Sequence, residues 1–162
     1  MGTQKTVTND QSWQEPFLDI ADLKEQHRQI RAVLRRIVKK RVKLHRGRLV
    51  LPCGCCGGQV MGRFQMHEAL IARSGANLSQ QYLIFVPQNV IQVCAPCHRE
   101  YQGTKHLLDR ALVYLIKTEG AARVAEWWLD VAPQVGRSVG TVPEDGDWER
   151  YLLDLFNVKG ES

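Results

Sequence analysis

Two cysteine pairs, Cys53-x-x-Cys56-Gly57 and Cys94-x-x-Cys97, constrain the fold of this chain more than any other feature. Each pair can offer two sulfurs to one ion from a tight turn, and four thiolates in two such pairs are what a tetrahedral structural zinc requires. His98 directly follows the second pair, and His67, Glu68 and Asn89 lie between the two. Taken alone, His98 reads as a cap on the zinc helix or a substitute zinc ligand. A fifth cysteine, Cys55, sits inside the first knuckle. It is either a spare thiol beside the zinc or a replacement for Cys53 or Cys56.

With 162 residues and 44% hydrophobic content, the chain is long enough for one domain with appended helices. Its formal charge of +5 is unevenly spread: residues 1–118 carry a net +10 and residues 119–162 a net −5. A basic body points to a polyanionic partner, because lysine and arginine gain by displacing counterions from phosphates. The acidic part could compete for that surface, dock a protein partner, or complete the core with Trp127, Trp128 and Trp148. The start of the chain is polar, and no apolar run approaches the roughly 20 residues that span a bilayer. No membrane association is expected, and the expected compartment is the cytosol. Clustered thiols in that reducing environment are metal ligands sooner than disulfides.

The organisation read from the sequence is α+β: a flexible N-terminus (1–17), a basic amphipathic helix (18–48), a zinc-stapled core (49–118) and an acidic helical extension (119–162). In residues 18–46, Leu23, Ile30, Val33, Leu34, Ile37, Val38, Arg41 and Leu44 fall within one arc at 100° per residue. Arg28, Arg31, Arg35, Lys39, Lys43 and Arg46 fall opposite, and Arg41 is the one charge on the apolar side. From Lys24 to Arg48 there are 11 of the 22 basic residues against one acid, Glu25. Charges this dense repel at neighbouring turns, which a phosphate partner would relieve. Gly47 is expected to end the helix and Pro52 to prevent its extension. Residues 59–66 and 82–93 read as β-like, with Arg73 to Gln80 a loop between them. Helices are expected from Pro96 to about Thr118, over about 121–131 with Val124, Trp127 and Trp128 in the core, and over 148–156. Residues 133–147 read as a linker.

A knuckle, a β-hairpin and a helix that starts at the second cysteine pair describe a treble clef. Residues 53–98 resemble the HNH endonucleases, whose ββα-metal fold sits on such a clef, particularly the small zinc-stapled versions of phages and mobile elements. The family pattern has a C-x-x-C, a strand ending in Asp-His or His-His, an Asn five residues before a second C-x-x-C, and His or Asn directly after it. This chain has Cys53-x-x-Cys56, Met66-His67-Glu68, Asn89 and Cys94-Ala95-Pro96-Cys97-His98.

The resemblance implies a DNA endonuclease of a bacterial or phage-infected cell that hydrolyses phosphodiesters, with a structural zinc and a catalytic Mg2+, Mn2+ or Ni2+. His98 would hold the catalytic metal beside the scissile phosphate, where a Lewis acid stabilises developing negative charge. A base on the hairpin would take a proton from water, and Asn89 would brace the loop and orient that base. The pattern breaks at Met66. If His67 is the base, a ligand position is filled by methionine; if His67 is the ligand, Glu68 stands where the base should be and needs a raised pKa to act. Arg28, Arg31, Arg35, Lys39, Lys43 and Arg46 would grip phosphates, as would Lys105 and His106, while His27 and His45 need no special role. Two other readings compete: a zinc DNA-binding module that has lost its catalytic ligands, and a protein-interaction adaptor. Nothing in the sequence decides whether the chain forms a homodimer.

Overall fold

The structure, a computed structural model, describes residues 11–60, 64–101 and 105–159. It is a mixed α+β arrangement with two small antiparallel sheets. Residues 1–10 of the expected flexible N-terminus lie outside the described residues. The rest of that segment is packed: a 3-10 turn, Ser12–Gln14, leads into a short helix α1, Glu15–Leu18. Gln14 is buried there and donates to the carbonyls of Tyr82 and Phe85, at 2.9 and 3.0 Å.

The basic helix α2 runs over Leu23–Lys39. It starts where Asp22 accepts from the backbone of Lys24 and Glu25, an N-cap that satisfies two otherwise orphaned donors. Its inner face buries Gln26, His27, Ile30, Leu34 and Val38. The helix ends well before the expected 46. Residues 42–45 alternate in polarity instead, and they open a hairpin of β1, Lys43–His45, and β2, Arg48–Val50. The two residues between the strands, Arg46 and Gly47, have φ of 50° and 77°, the left-handed pair that a two-residue type I′ turn requires. Gly47 therefore turns a hairpin and caps no helix, and Lys43, His45 and Arg46 belong to the hairpin.

After the first cysteine pair, β3, Gln65–Glu68, pairs with β4, Val90–Val93, in the register His67 to Ile91. Both strands are shorter than expected. Residues 61–63 of the first lie outside the described residues, and Tyr82 and Leu83 end a 3-10 segment, Leu78–Leu83. The second cysteine pair opens α3, Ala95–Glu100, and a separate helix α4 spans Lys105–Glu119; residues 102–104 of the single helix expected here lie outside the described residues. Helices α5, Ala121–Gln134, and α6, Trp148–Leu155, complete the fold. As expected, Val124, Trp127 and Trp128 are core residues. The Trp127 indole also donates to the Leu83 carbonyl at 2.9 Å, so the acidic extension packs on the region that carries the site.

Arg41 explains its place on the apolar side of the helix pattern. Its guanidinium donates to the carbonyls of Val90 and Pro87 at 2.6 and 2.7 Å, and to Gln92 Oε1 and Glu119 Oε1 at 3.3 Å. Only 6% of its side chain is exposed. Gln92, fully buried, donates in turn to the Pro52 carbonyl and the Tyr114 hydroxyl. This network fixes β4 against the end of α2 and the end of α4, and it aligns the stretch that enters the first cysteine pair.

Candidate functional site

Cys53, Cys56, Cys94 and Cys97 converge, with their sulfurs all within 4.8 Å of one another. Four sulfurs about 2.3 Å from a central zinc would stand roughly 3.8 Å apart, and Cys56 Sγ and Cys94 Sγ are separated by 3.9 Å. The donor set, the spacing and the chemistry fit a metal ion such as zinc. The first knuckle is built by a pair of backbone bonds, Cys53 N–H to the Gly58 carbonyl and Gly57 N–H to the Cys53 carbonyl. Gly57 has the left-handed φ of 73° that lets the chain reverse there. Gly54 is needed for a different reason: a Cβ on it would lie 3.0 Å from Ile91 Cβ and 3.2 Å from the Tyr114 ring.

Backbone amides point at the sulfurs. Cys55 N–H and Cys94 N–H donate to Cys53 Sγ, and Gly58 N–H donates to Cys56 Sγ, each at 3.4 Å. Such donors favour thiolates. Contact with the Cys55 thiol, supplemented by these amides, holds the Cys53 thiol down at about 3. Burial, followed by contact with Cys94 and Cys56, pushes the Cys97 thiol up, and burial pushes Cys56 up as well. Cys55 itself is buried, with Sγ 3.9 Å from the Leu107 carbonyl, and is pushed far up by its contact with Cys53 and by burial. It is a spare thiol, outside the group of four.

His67 and His98 also come together. Their ring centroids are 5.8 Å apart and nearly perpendicular, at 80°, and His67 rests on the Tyr101 ring at 3.7 Å. Two imidazoles sharing one ion at about 2.0–2.1 Å put their centroids roughly 5–6 Å apart. Burial lowers the His67 pKa, so the imidazole is neutral at pH 7. Glu68 does not join them. Successive strand residues face opposite ways, and Glu68 is buried on the other face, accepting from Arg73 Nε at 3.0 Å. Among the described residues, the cysteines are the only group of three or more histidine, cysteine or acidic side chains close enough to hold a metal.

Asn89 braces the loop and does nothing else with its side chain. Its Oδ1 accepts from the backbone of Leu70 and Ile71, and its Nδ2 donates to the carbonyls of Ile71 and Ile84, all within 3.0 Å. That uses its full hydrogen-bonding capacity, leaving none to orient a base.

A cleft of about 760 Å³ opens between α2 and β3, lined by Arg31, Arg35, Lys39, Phe64, Gln65, Met66, Arg73 and His98. Arg35 is fixed by a bond to the Phe64 carbonyl at 2.9 Å and by stacking over the Phe64 ring at 4.5 Å. Burial, followed by repulsion from Arg73, lowers the Arg31 pKa, though an arginine stays charged in such a place. Of the cations expected to bind phosphate, Arg31, Arg35 and Lys39 share this cleft. Arg28 is exposed and paired with Glu25, and Lys43 and Arg46 lie on the hairpin. Arg73 was not among the expected contacts. Its position at the start of a small-residue loop gives no sequence signal, and only the fold brings it opposite α2.

Compared with family models, curated proteins and solved structures, the chain matches none. Its reading therefore rests on its own residues. No helix among the described residues is long and apolar enough to cross a membrane.

Proposed function

We propose that the chain is a metal-dependent endonuclease of HNH type, built on a treble clef whose four cysteines hold zinc. The observation that supports this most is the cation-lined cleft that ends at His98, with His67 beside it. Arg31, Arg35, Lys39 and Arg73 face only one acid, Glu68, among the described residues, so their mutual repulsion is relieved when a polyanion enters. Phosphates along α2 would place one diester at His98. A divalent ion held by His98 and His67 would supply Lewis-acid stabilisation of the charge that builds on the phosphate and leaving oxygen. The neutral His67 suits either role open to it, ligand or base. Glu68 can take a proton from water only by leaving Arg73, so the geometry favours His67 for the essential task.

The test is conversion of supercoiled plasmid by zinc-loaded protein with Mg2+, Mn2+ or Ni2+, against a chelator control. Cleavage that disappears in His98→Ala and His67→Ala, with zinc content unchanged, and that keeps at least about a tenth of its rate in Glu68→Gln, is the expected result. A second reading has one observation in its favour: Met66 is buried where the family places a metal ligand. A zinc-loaded protein that binds DNA and leaves it uncut in the presence of Mg2+, Mn2+ or Ni2+ would establish a binding module in which the catalytic site is lost.

A further inference from the structure

A second groove, of about 570 Å³, lies between the first cysteine knuckle and α4, with Val158 and Lys159 also in its wall. Helical spacing explains which side chains α4 sends there. His106, Arg110, Val113 and Lys117 recur every three or four residues, so they fall within about 60° of one another around the axis and share one face. Lys159 comes from beyond α6. Asn157, at φ 52°, ends that helix in a left-handed turn, Val158 N–H donates back to the Leu153 carbonyl at 2.8 Å, and Lys105 donates to the Asn157 carbonyl at 2.9 Å. The stretch that carries Lys159 is thereby tied to the start of α4.

Charge in the groove is unbalanced. Its acid, Asp109, is taken by Lys105 at 2.8 and 3.0 Å, and Lys105, expected to grip phosphate, is therefore committed within the protein. Arg110, Lys117 and Lys159 are exposed, and none of them has an ion pair among the described residues. Three uncompensated cations on one wall repel one another, and a row of phosphates relieves that. The face of α4 from His106 to Lys117 covers about 16 Å, and one strand of DNA carries a phosphate about every 3.4 Å of its axis, so each cation can meet a different phosphate. Val113, Val158 and Tyr114 add apolar wall that a sugar can cover. The position of the groove decides between polyanions. Cys56 lines it, the Cys97 sulfur lies within 4.8 Å of the Cys56 sulfur, and His98, next in the chain, ends the α2 cleft. The two cationic surfaces therefore meet at the cysteine cluster. An acidic peptide in the groove leaves the α2 cleft unused, whereas a nucleic acid has phosphates for both.

We propose that this groove is a second DNA contact, in which Arg110, Lys117 and Lys159 each take a backbone phosphate of the molecule whose other stretch lies in the α2 cleft. The proposal rests on DNA being the partner, as argued above, and does not depend on cleavage. Zinc would then set the spacing of the two tracks, because it joins the knuckle of one to the helix α3 that carries His98 of the other.

The test measures duplex binding by the whole zinc-loaded chain, without added divalent metal, by fluorescence anisotropy over a salt series. Arg110→Gln, Lys117→Gln and Lys159→Gln together, all exposed and so compatible with folding, should lower the slope of log K against log salt by about 3 in magnitude and weaken binding at least about tenfold near 0.1 M salt. Arg123→Gln with Arg150→Gln, which removes two cations already paired with acids, should change that slope by less than about 1. A comparable loss in this control overturns the contact, since net charge and not the groove would then set affinity. Equal slopes for wild type and the triple variant overturn the groove contact alone, and a polyglutamate peptide that binds wild type but not the variant would then identify an acidic protein segment as the occupant. Absence of DNA binding by any form overturns both this proposal and the reading it rests on. The expected slope change in a protein that leaves plasmid uncut with added metal supports the groove and removes only the nuclease.

Discussion

The cysteines show most directly how far single residues could be read before the fold was known. Ligand chemistry is local: two C-x-x-C pairs mark a site that could hold a metal ion such as zinc, and the one open choice, Cys55, is settled by its place outside the group of four. Cys55→Ser is expected to keep one zinc per chain by metal analysis, whereas Cys97→Ser should lose it. Asn89 was legible only as an offset. Its four bonds depend on a loop that folds back between β3 and β4, and no local pattern announces that. Because removing the side chain leaves buried backbone groups unpaired, Asn89→Ala should cost roughly 2–4 kcal/mol in chemical denaturation. His27 is buried against the Phe85 ring, its Nε2 without a partner, and burial lowers its pKa. A depressed histidine pKa means that the unfolded chain takes up the proton first. Its contribution to stability is therefore complete above about pH 6.5 and falls as pH drops below that value. Comparing denaturation midpoints at pH 8 and pH 5.5, His27→Leu should show a smaller loss than wild type. The comparison with wild type is needed because protonation of the cysteines acts in the same direction in both.

At the level of elements, the periodicity of α2 was clear in the sequence, and its end was not. Residues 42–45 fit both a helical arc and a two-residue alternation, and the Arg46-Gly47 turn decides between them. Helix and strand patterns overlap over so short a run, so a glycine there serves equally as a helix stop or a hairpin turn. Strand β4 lies within the expected 82–93 and is much shorter, because buried apolar residues such as Ile84 and Phe85 mark a core, whatever their secondary structure, while β3 overlaps the expected 59–66 only at Gln65 and Met66 and runs on to Glu68. The knuckle's approach to β4 was invisible in sequence. Gly54→Ala would force Ile91 or Tyr114 to give way and should cost about 1–3 kcal/mol, read as a lower unfolding midpoint in the zinc-loaded protein.

Considered as a whole, the molecule concentrates cations on α2, at Arg73 and on the hairpin, whereas residues 119–162 carry a net −5. Seven of those cations, each meeting one phosphate, would by themselves give log K for duplex DNA a slope of roughly −6 against log salt, measurable by fluorescence anisotropy over a salt series. The composition foretold the sign of this asymmetry but not its geometry, which requires the sheet to bring the loop at Arg73 opposite the helix. One consequence concerns modularity. The cysteine cluster, His67 and His98 all precede residue 102, so the sequence invites the excision of a compact catalytic cassette. Arg41, however, lies inside the protein with Glu119 as its counter-ion, and Trp127 is tied to Leu83 from beyond it. A fragment ending before Glu119 would carry a charge in its interior that nothing neutralises. The chemistry proposed for the first two thirds of this chain thus leans on residues that lie beyond it, and an excised cassette should unfold more easily than the whole.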